Sequence, residues 1–191
     1  MTRLVKSTLK CRADLPTLFK ECKDRQLTIA EVGVYKGDFS QQLLDTCKKI
    51  GKDCQLCLID PWNSPECEGA LVGTEEDGKQ LLEKYKDQGN IEFIKDYSQT
   101  AAHFFYDESL MMVYLDAEHT YDGVLADLSL WWPKVSTGGI LAGHDIFVQH
   151  HIGVTQALLD FFTNETIFVV KGDTTPEGQY LNDDSWYVIK G

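Results

Sequence analysis

The chemistry-bearing residues of this chain fall at regular places, each just after a short apolar run. They are Glu31 and Gly33, Asp60, Asp96 and Ser98, Asp116, and His144 with Asp145. One acid after an apolar run is a common loop residue or helix cap. Polar groups at successive run ends are more than packing requires, and they point to a ligand site. Gly33 and Gly37 sit in EVGVYKG, where they allow a tight turn and close approach of backbone to a ligand. The spacing is G-x-x-x-G rather than the G-x-G-x-x-G that seats a dinucleotide pyrophosphate, which argues against a nicotinamide oxidoreductase. Glu31 adds a negative charge in the same turn; it would repel phosphate and suits a cationic or amino-bearing ligand. Asp60 stands where an acid can accept hydrogen bonds from both hydroxyls of a ribose. Trp62, two residues on, offers a flat surface that can cover an adenine ring or close a local apolar patch.

These residues need elements to bring them together, and the hydrophobic pattern supplies them. Strand-like runs at 28–33, 53–60, 90–96, 110–117, 138–145, 166–172 and 185–190 alternate with helical patterns at 39–50, 80–88, 98–105, 121–132 and 154–162. The alternation predicts an α/β fold of Rossmann-like, doubly wound type, with a mostly parallel seven-stranded sheet and helices on both faces. No helix separates the last two strands, so the final one is expected to run antiparallel. Ligands in such sheets bind outside the carboxyl ends of the strands, which is where the polar residues fall. Asp116 is 28 residues before His144 and 29 before Asp145. Adjacent parallel strands joined by one helix bring the three together, with His119 on the same loop as Asp116.

Composition narrows the partners. The 191 residues carry 30 acids against 18 bases, a formal net charge of −12, which argues against a nucleic-acid partner. No apolar run approaches the ~18 residues of a membrane span. Length and pattern are read as a single domain over 1–191, with 1–27 an N-terminal helical extension; MTRLVKSTLKCR has four bases and no acid and reads as a surface helix or arm. Cys54 and Cys57 form C-x-x-C, but three residues apart on a strand the side chains face opposite ways. They are read, with Cys11, Cys22, Cys47 and Cys67, as reduced thiols of a cytoplasmic protein. The Gly- and acid-rich loop 61–78 is expected to act as a lid.

The turn EVGVYKG, LIDPW, DYSQ at 96–99 and the block YLDAEHTYDGVLADLSLWWPKVSTGGILAGHD resemble the class I S-adenosylmethionine-dependent methyltransferases, most closely the catechol- and macrocin-type O-methyltransferases. The resemblance implies a sheet of seven strands with the last reversed. It implies cofactor contacts from Glu31, Gly33, Tyr35 and Gly37 in the first turn, from Asp60 to the ribose, from Trp62, Ser98 and Gln99 around the adenine, and from Asp116. It further implies a divalent metal such as magnesium or manganese on Asp116, His144 and Asp145, and a proton-accepting His119 acting with Asp116. His144 departs from the family's oxygen ligands and tilts the set toward manganese, iron, cobalt or zinc. The expected reaction is O-methylation of a small hydroxylated acceptor, with homo-oligomerisation as one way to complete a shallow pocket. The alternative is a non-catalytic cofactor- or metal-binding module on the same fold.

Overall fold

In the computed structural model the described residues are 2–63, 73–172 and 184–191. Strands are β1 (Arg3–Lys6), β2 (Gln26–Val32), β3 (Asp53–Ile59), β4 (Ile91–Ile94), β5 (Leu110–Leu115), β6 (Val135–Gly143), β7 (Thr166–Val170) and β8 (Ser185–Ile189). Helices are α1 (Asp38–Lys49), α2 (Glu75–Tyr85), α3 (Ser98–Ala101), α4 (Tyr121–Trp131) and α5 (Ile152–Phe161). The strands form one sheet in the order β1-β7-β8-β6-β5-β2-β3-β4. All neighbours run parallel except β8, which is antiparallel to both β6 and β7. The α/β, mostly parallel sheet with its reversed last strand is as the sequence predicts. The eighth strand, β1, is an addition: it joins the edge beside β7, with Arg3 opposite Thr166.

Strand alternation divides the core into two layers. On one face Ala30, Val32, Ile59, Val113, Leu115 and Leu141 pack under α4 and α5. On the other, Leu27, Ile29, Leu56, Leu58, Met112 and Tyr114 pack under α1 and α2. Helix α1 presents Phe39, Leu43 and Cys47 to this second layer, spaced four apart on one face, and places Lys48 and Lys49 in its last turn against the dipole. Cys54 lies in the second layer and Cys57 in the first, so the C-x-x-C thiols do face opposite sides of the sheet.

Two segments differ from the sequence expectation. Residues 1–27 hold the strand β1 and a 3-10 helix, Arg12–Phe19, whose Leu15 and Phe19 are buried beside α1. Helix α2 begins at Glu75, inside the span expected to be loop, because Thr74 and Asp77 form a reciprocal capping box. The expected lid is therefore shortened at its far end, and its centre, 64–72, lies outside the described residues. Among the described residues, no helix is long and apolar enough to cross a membrane.

Candidate active site at the strand ends

The turn between β2 and α1 is held from two sides. Gly33 has φ +84, and a Cβ there would lie 2.1 Å from the Asp116 carbonyl oxygen. Only glycine lets this turn lie against the loop after β5. Asp60 holds the turn from the β3 side: its Oδ2 accepts from the Val34 and Tyr35 amides, both at 3.0 Å, and its Oδ1 accepts from the Trp62 amide at 2.8 Å. Of roughly four lone-pair sites on a carboxylate, three are occupied by backbone. Room remains for one further donor rather than for both hydroxyls of a ribose.

Trp62 is buried, with 3% of its surface exposed. Its indole N–H donates to the Tyr35 carbonyl at 3.1 Å, and its ring packs against Phe93 and under Gly78. The structure thus seats it as a brace between the β2–α1 turn and α2. Ser98 sits in a small network: its hydroxyl donates to Asp127 at 2.7 Å and accepts the Trp131 indole N–H at 2.9 Å. Burial raises the Asp127 carboxyl to about 6, with Ser98 opposing the shift. Gln99 is exposed at the start of α3.

Glu31 lies near the end of β2, opposite Tyr114 of β5, and is 2% exposed. Its Oε2 has no hydrogen-bond partner among the described residues. Burial pushes its carboxyl up to about 8; the Ser40 hydroxyl pulls the other way, and the charge of Asp116 adds to the rise. A buried carboxylate with an orphaned oxygen fits a site that receives a donor from a ligand. The folded-state pKa exceeds the unfolded one, so the folded chain binds more protons through this window. Stability should therefore fall as pH rises from about 4.5 toward about 8. Urea melts of Glu31→Gln should show a flatter decline between pH 5 and 8 than wild type; parallel profiles would refute the assignment.

At the ends of β5 and β6 the histidines and acids converge as the sequence predicts. Asp145 is the hub. Its Oδ2 is 2.7 Å from His119 Nε2, and its Oδ1 is 3.3 Å from His144 Nδ1. Asp116 Oδ1 stands 3.8 Å from His119 Nε2 and 3.9 Å from His144 Nδ1. His151, beyond the end of β6, also belongs to the cluster: its Nδ1 is 3.6 Å from Asp145 Oδ1, and its ring stacks on His119 at 4.1 Å. A 3-10 turn, Gln149–His151, folds it back over the site. Asp116, His144 and Asp145 form one triad of potential metal donors, and His119, Asp145 and His151 a second.

Electrostatics in the cluster follow from this geometry. Asp116 and Asp145 raise the His119 imidazole to about 9 against the effect of burial. Burial pushes Asp145 up, but His119 and His144 outweigh it and hold the carboxyl well below the usual range. His119 is thus an imidazolium at neutral pH while both carboxylates face it. His144 Nε2 and His151 Nδ1 are buried without hydrogen-bond partners among the described residues. Asp145 itself has φ +60, and Tyr35, Trp62 and Phe147 are also left-handed. Backbone strain of this kind persists where surrounding structure holds it, often at functional sites. A small pocket adjoins the cluster, lined by Leu115, Val124, Val154 and Trp186 with His119 and His144.

A doubly wound sheet here carries a glycine turn after β2, acids at the ends of β2, β3 and β5, and no dinucleotide fingerprint. Residues 30–146 match the family described as a methyltransferase domain, and the chain belongs to that family. It is 31% identical over 124 residues to the uncharacterised protein R132 of Acanthamoeba polyphaga mimivirus, a match covering 62% of this chain and 51% of that one. The chain thus spans about half the length of this curated relative. Its fold is similar to a Staphylococcus aureus protein assigned as a caffeoyl-CoA O-methyltransferase, with TM-score 0.62 and 16% identity over 98% of this chain and 86% of the other. It is also similar to a Clostridium thermocellum protein assigned as an rRNA methylase, with TM-score 0.62 and 13% identity over 97% and 99% of the two chains.

Proposed function

We propose that this protein transfers a methyl group from S-adenosylmethionine to a hydroxyl of a small acceptor, with a divalent metal at the ends of β5 and β6. The observation that carries the reading is the cluster around Asp145, placed beside the glycine turn and the orphaned carboxylate of Glu31. Asp116, His144 and Asp145 are the residues that would hold the metal. Two carboxylates and an imidazole fit manganese, iron, cobalt or zinc better than magnesium, which favours oxygen. Such an ion would orient the acceptor hydroxyl and lower its pKa.

The chain's own groups supply the rest. Glu31 and the β2–α1 turn receive the amino-acid end of the cofactor, and the surroundings of Asp60, Ser98 and Gln99 receive its nucleoside. In-line attack by the acceptor oxygen needs positioning and no enzyme nucleophile. His119 takes the acceptor's proton at Nε2, which requires Asp116 and Asp145 to be drawn away from it. While they hold it, it is already protonated.

The net charge of −12 favours a small molecule over a polyanionic acceptor such as RNA. The reading is tested by following transfer of labelled methyl groups to hydroxylated small molecules before and after chelation. EDTA should abolish transfer, and manganese or cobalt should restore it better than magnesium. Full activity in EDTA would remove the metal from this reading, and binding of cofactor without transfer to any acceptor would favour a non-catalytic module.

A further inference from the structure

Arg12 lies outside the stretch that matches the family, yet its side chain reaches the strand ends. It opens the 3-10 helix Arg12–Phe19, which is anchored by buried Leu15 and Phe19. The guanidinium, 18% exposed, lies 4.7 Å over the Phe39 ring of α1 and 6.0 Å from the Tyr114 ring of β5. Its Nη1 is 3.3 Å from the Tyr114 hydroxyl and 3.5 Å from Asp116 Oδ2. Tyr114 is the cross-strand neighbour of Glu31 on the same face of the sheet. The Arg12 cation is therefore held against the Asp116 carboxylate after β5, with the buried Glu31 carboxyl of β2 near enough to influence it.

These contacts position Arg12 without satisfying it. An arginine paired for its own sake docks on a carboxylate through two parallel bonds of roughly 2.7–2.9 Å. Both contacts here run through one nitrogen, and both are long. Among the described residues Glu31 Oε2 also lacks a hydrogen-bond partner. We propose that Arg12 binds the carboxylate of the amino-acid end of S-adenosylmethionine, while Glu31 and Asp116 face its ammonium. The alternation of acid, base and acid complements a zwitterion. A ligand carrying only positive charge would leave the arginine unmatched, and an anion alone would meet two acids.

The inference rests on the cofactor reading above, and the test separates the two. S-adenosylhomocysteine carries the amino-acid end; 5′-methylthioadenosine lacks it but keeps the nucleoside. Both are titrated calorimetrically against wild type, Arg12→Met and Arg12→Lys. Arg12→Met preserves the packing on Phe39 and should weaken S-adenosylhomocysteine ten- to hundredfold, while 5′-methylthioadenosine changes by less than about twofold, as expected for loss of a charged hydrogen bond. Arg12→Lys should lose less because it keeps the charge. Equal weakening of both ligands would show a purely structural role, and unchanged S-adenosylhomocysteine affinity in Arg12→Met would also overturn the proposal. If wild type binds neither ligand, the cofactor reading itself fails; retained 5′-methylthioadenosine binding in the variants reports that their site is folded.

Discussion

On the reading proposed above, Asp145→Asn should lower methyl transfer by roughly 10²–10⁴, the range typical of losing acid–base function, and should weaken binding of the metal that Asp145 would help to hold. The substitution keeps the size of the side chain and removes its charge. Asp145 is shared by both donor triads and meets His119 through one oxygen and His144 and His151 through the other. No neighbouring acid can replace it for His151, because Asp116 reaches only His119 and His144 among the described histidine pairs. A second readout isolates the electrostatic part. In metal-free protein the His119 titration, followed by NMR, should move down from about 9 toward its ordinary value when the Asp145 charge is removed. Retention of both metal and rate in Asp145→Asn would place the reaction elsewhere.

Asp60→Ala should destabilise the fold by about 3–6 kcal/mol, since it strips three backbone amides of a charged acceptor at once. Those amides, of Val34, Tyr35 and Trp62, belong to two strand-end loops that Asp60 ties together. Tyr35 and Trp62 are both in left-handed backbone, so the loops have little local preference for the shapes they hold. Denaturant melts measure the loss. A variant with near wild-type stability but weakened cofactor binding would return Asp60 to a purely ribose-binding role. A large stability loss means that any fall in affinity has to be judged against Asp60→Asn, which keeps one carbonyl acceptor.

The alternation of strands and helices was legible because most strands are buried on both faces and read as continuous apolar runs between helical patterns. The position of Asp116, His144 and Asp145 was legible for the same reason: strand order and a fixed crossover put their ends together. Arg3–Lys6 was not, because all four of its residues are exposed and carry neither an apolar run nor alternation. The start of α2 was written in Thr74 and Asp77, but the acids and glycines around them resemble a loop. Periodicity also places a residue on a strand end without stating which groups its oxygens meet. Asp60 therefore looked like a ligand acceptor, whereas the structure directs most of its capacity to backbone amides. His151 and Arg12 reach the site through a 3-10 turn and a 3-10 helix, elements too short or irregular to leave a hydrophobic period.

The pairing of β1 with β7 also sets an order of events. Strand β1 finds its neighbour only once β7 exists, since Arg3 lies opposite Thr166 and Lys6 opposite Val169. Such a contact closes a very long loop for the gain of a four-residue ladder. During synthesis β1 stays unpaired with β7 until that strand has been made. The 3-10 helix that carries Arg12 follows this late arrival in sequence, so a chain caught before β7 is made would hold the parallel strands β2–β6 with β1 still unpaired.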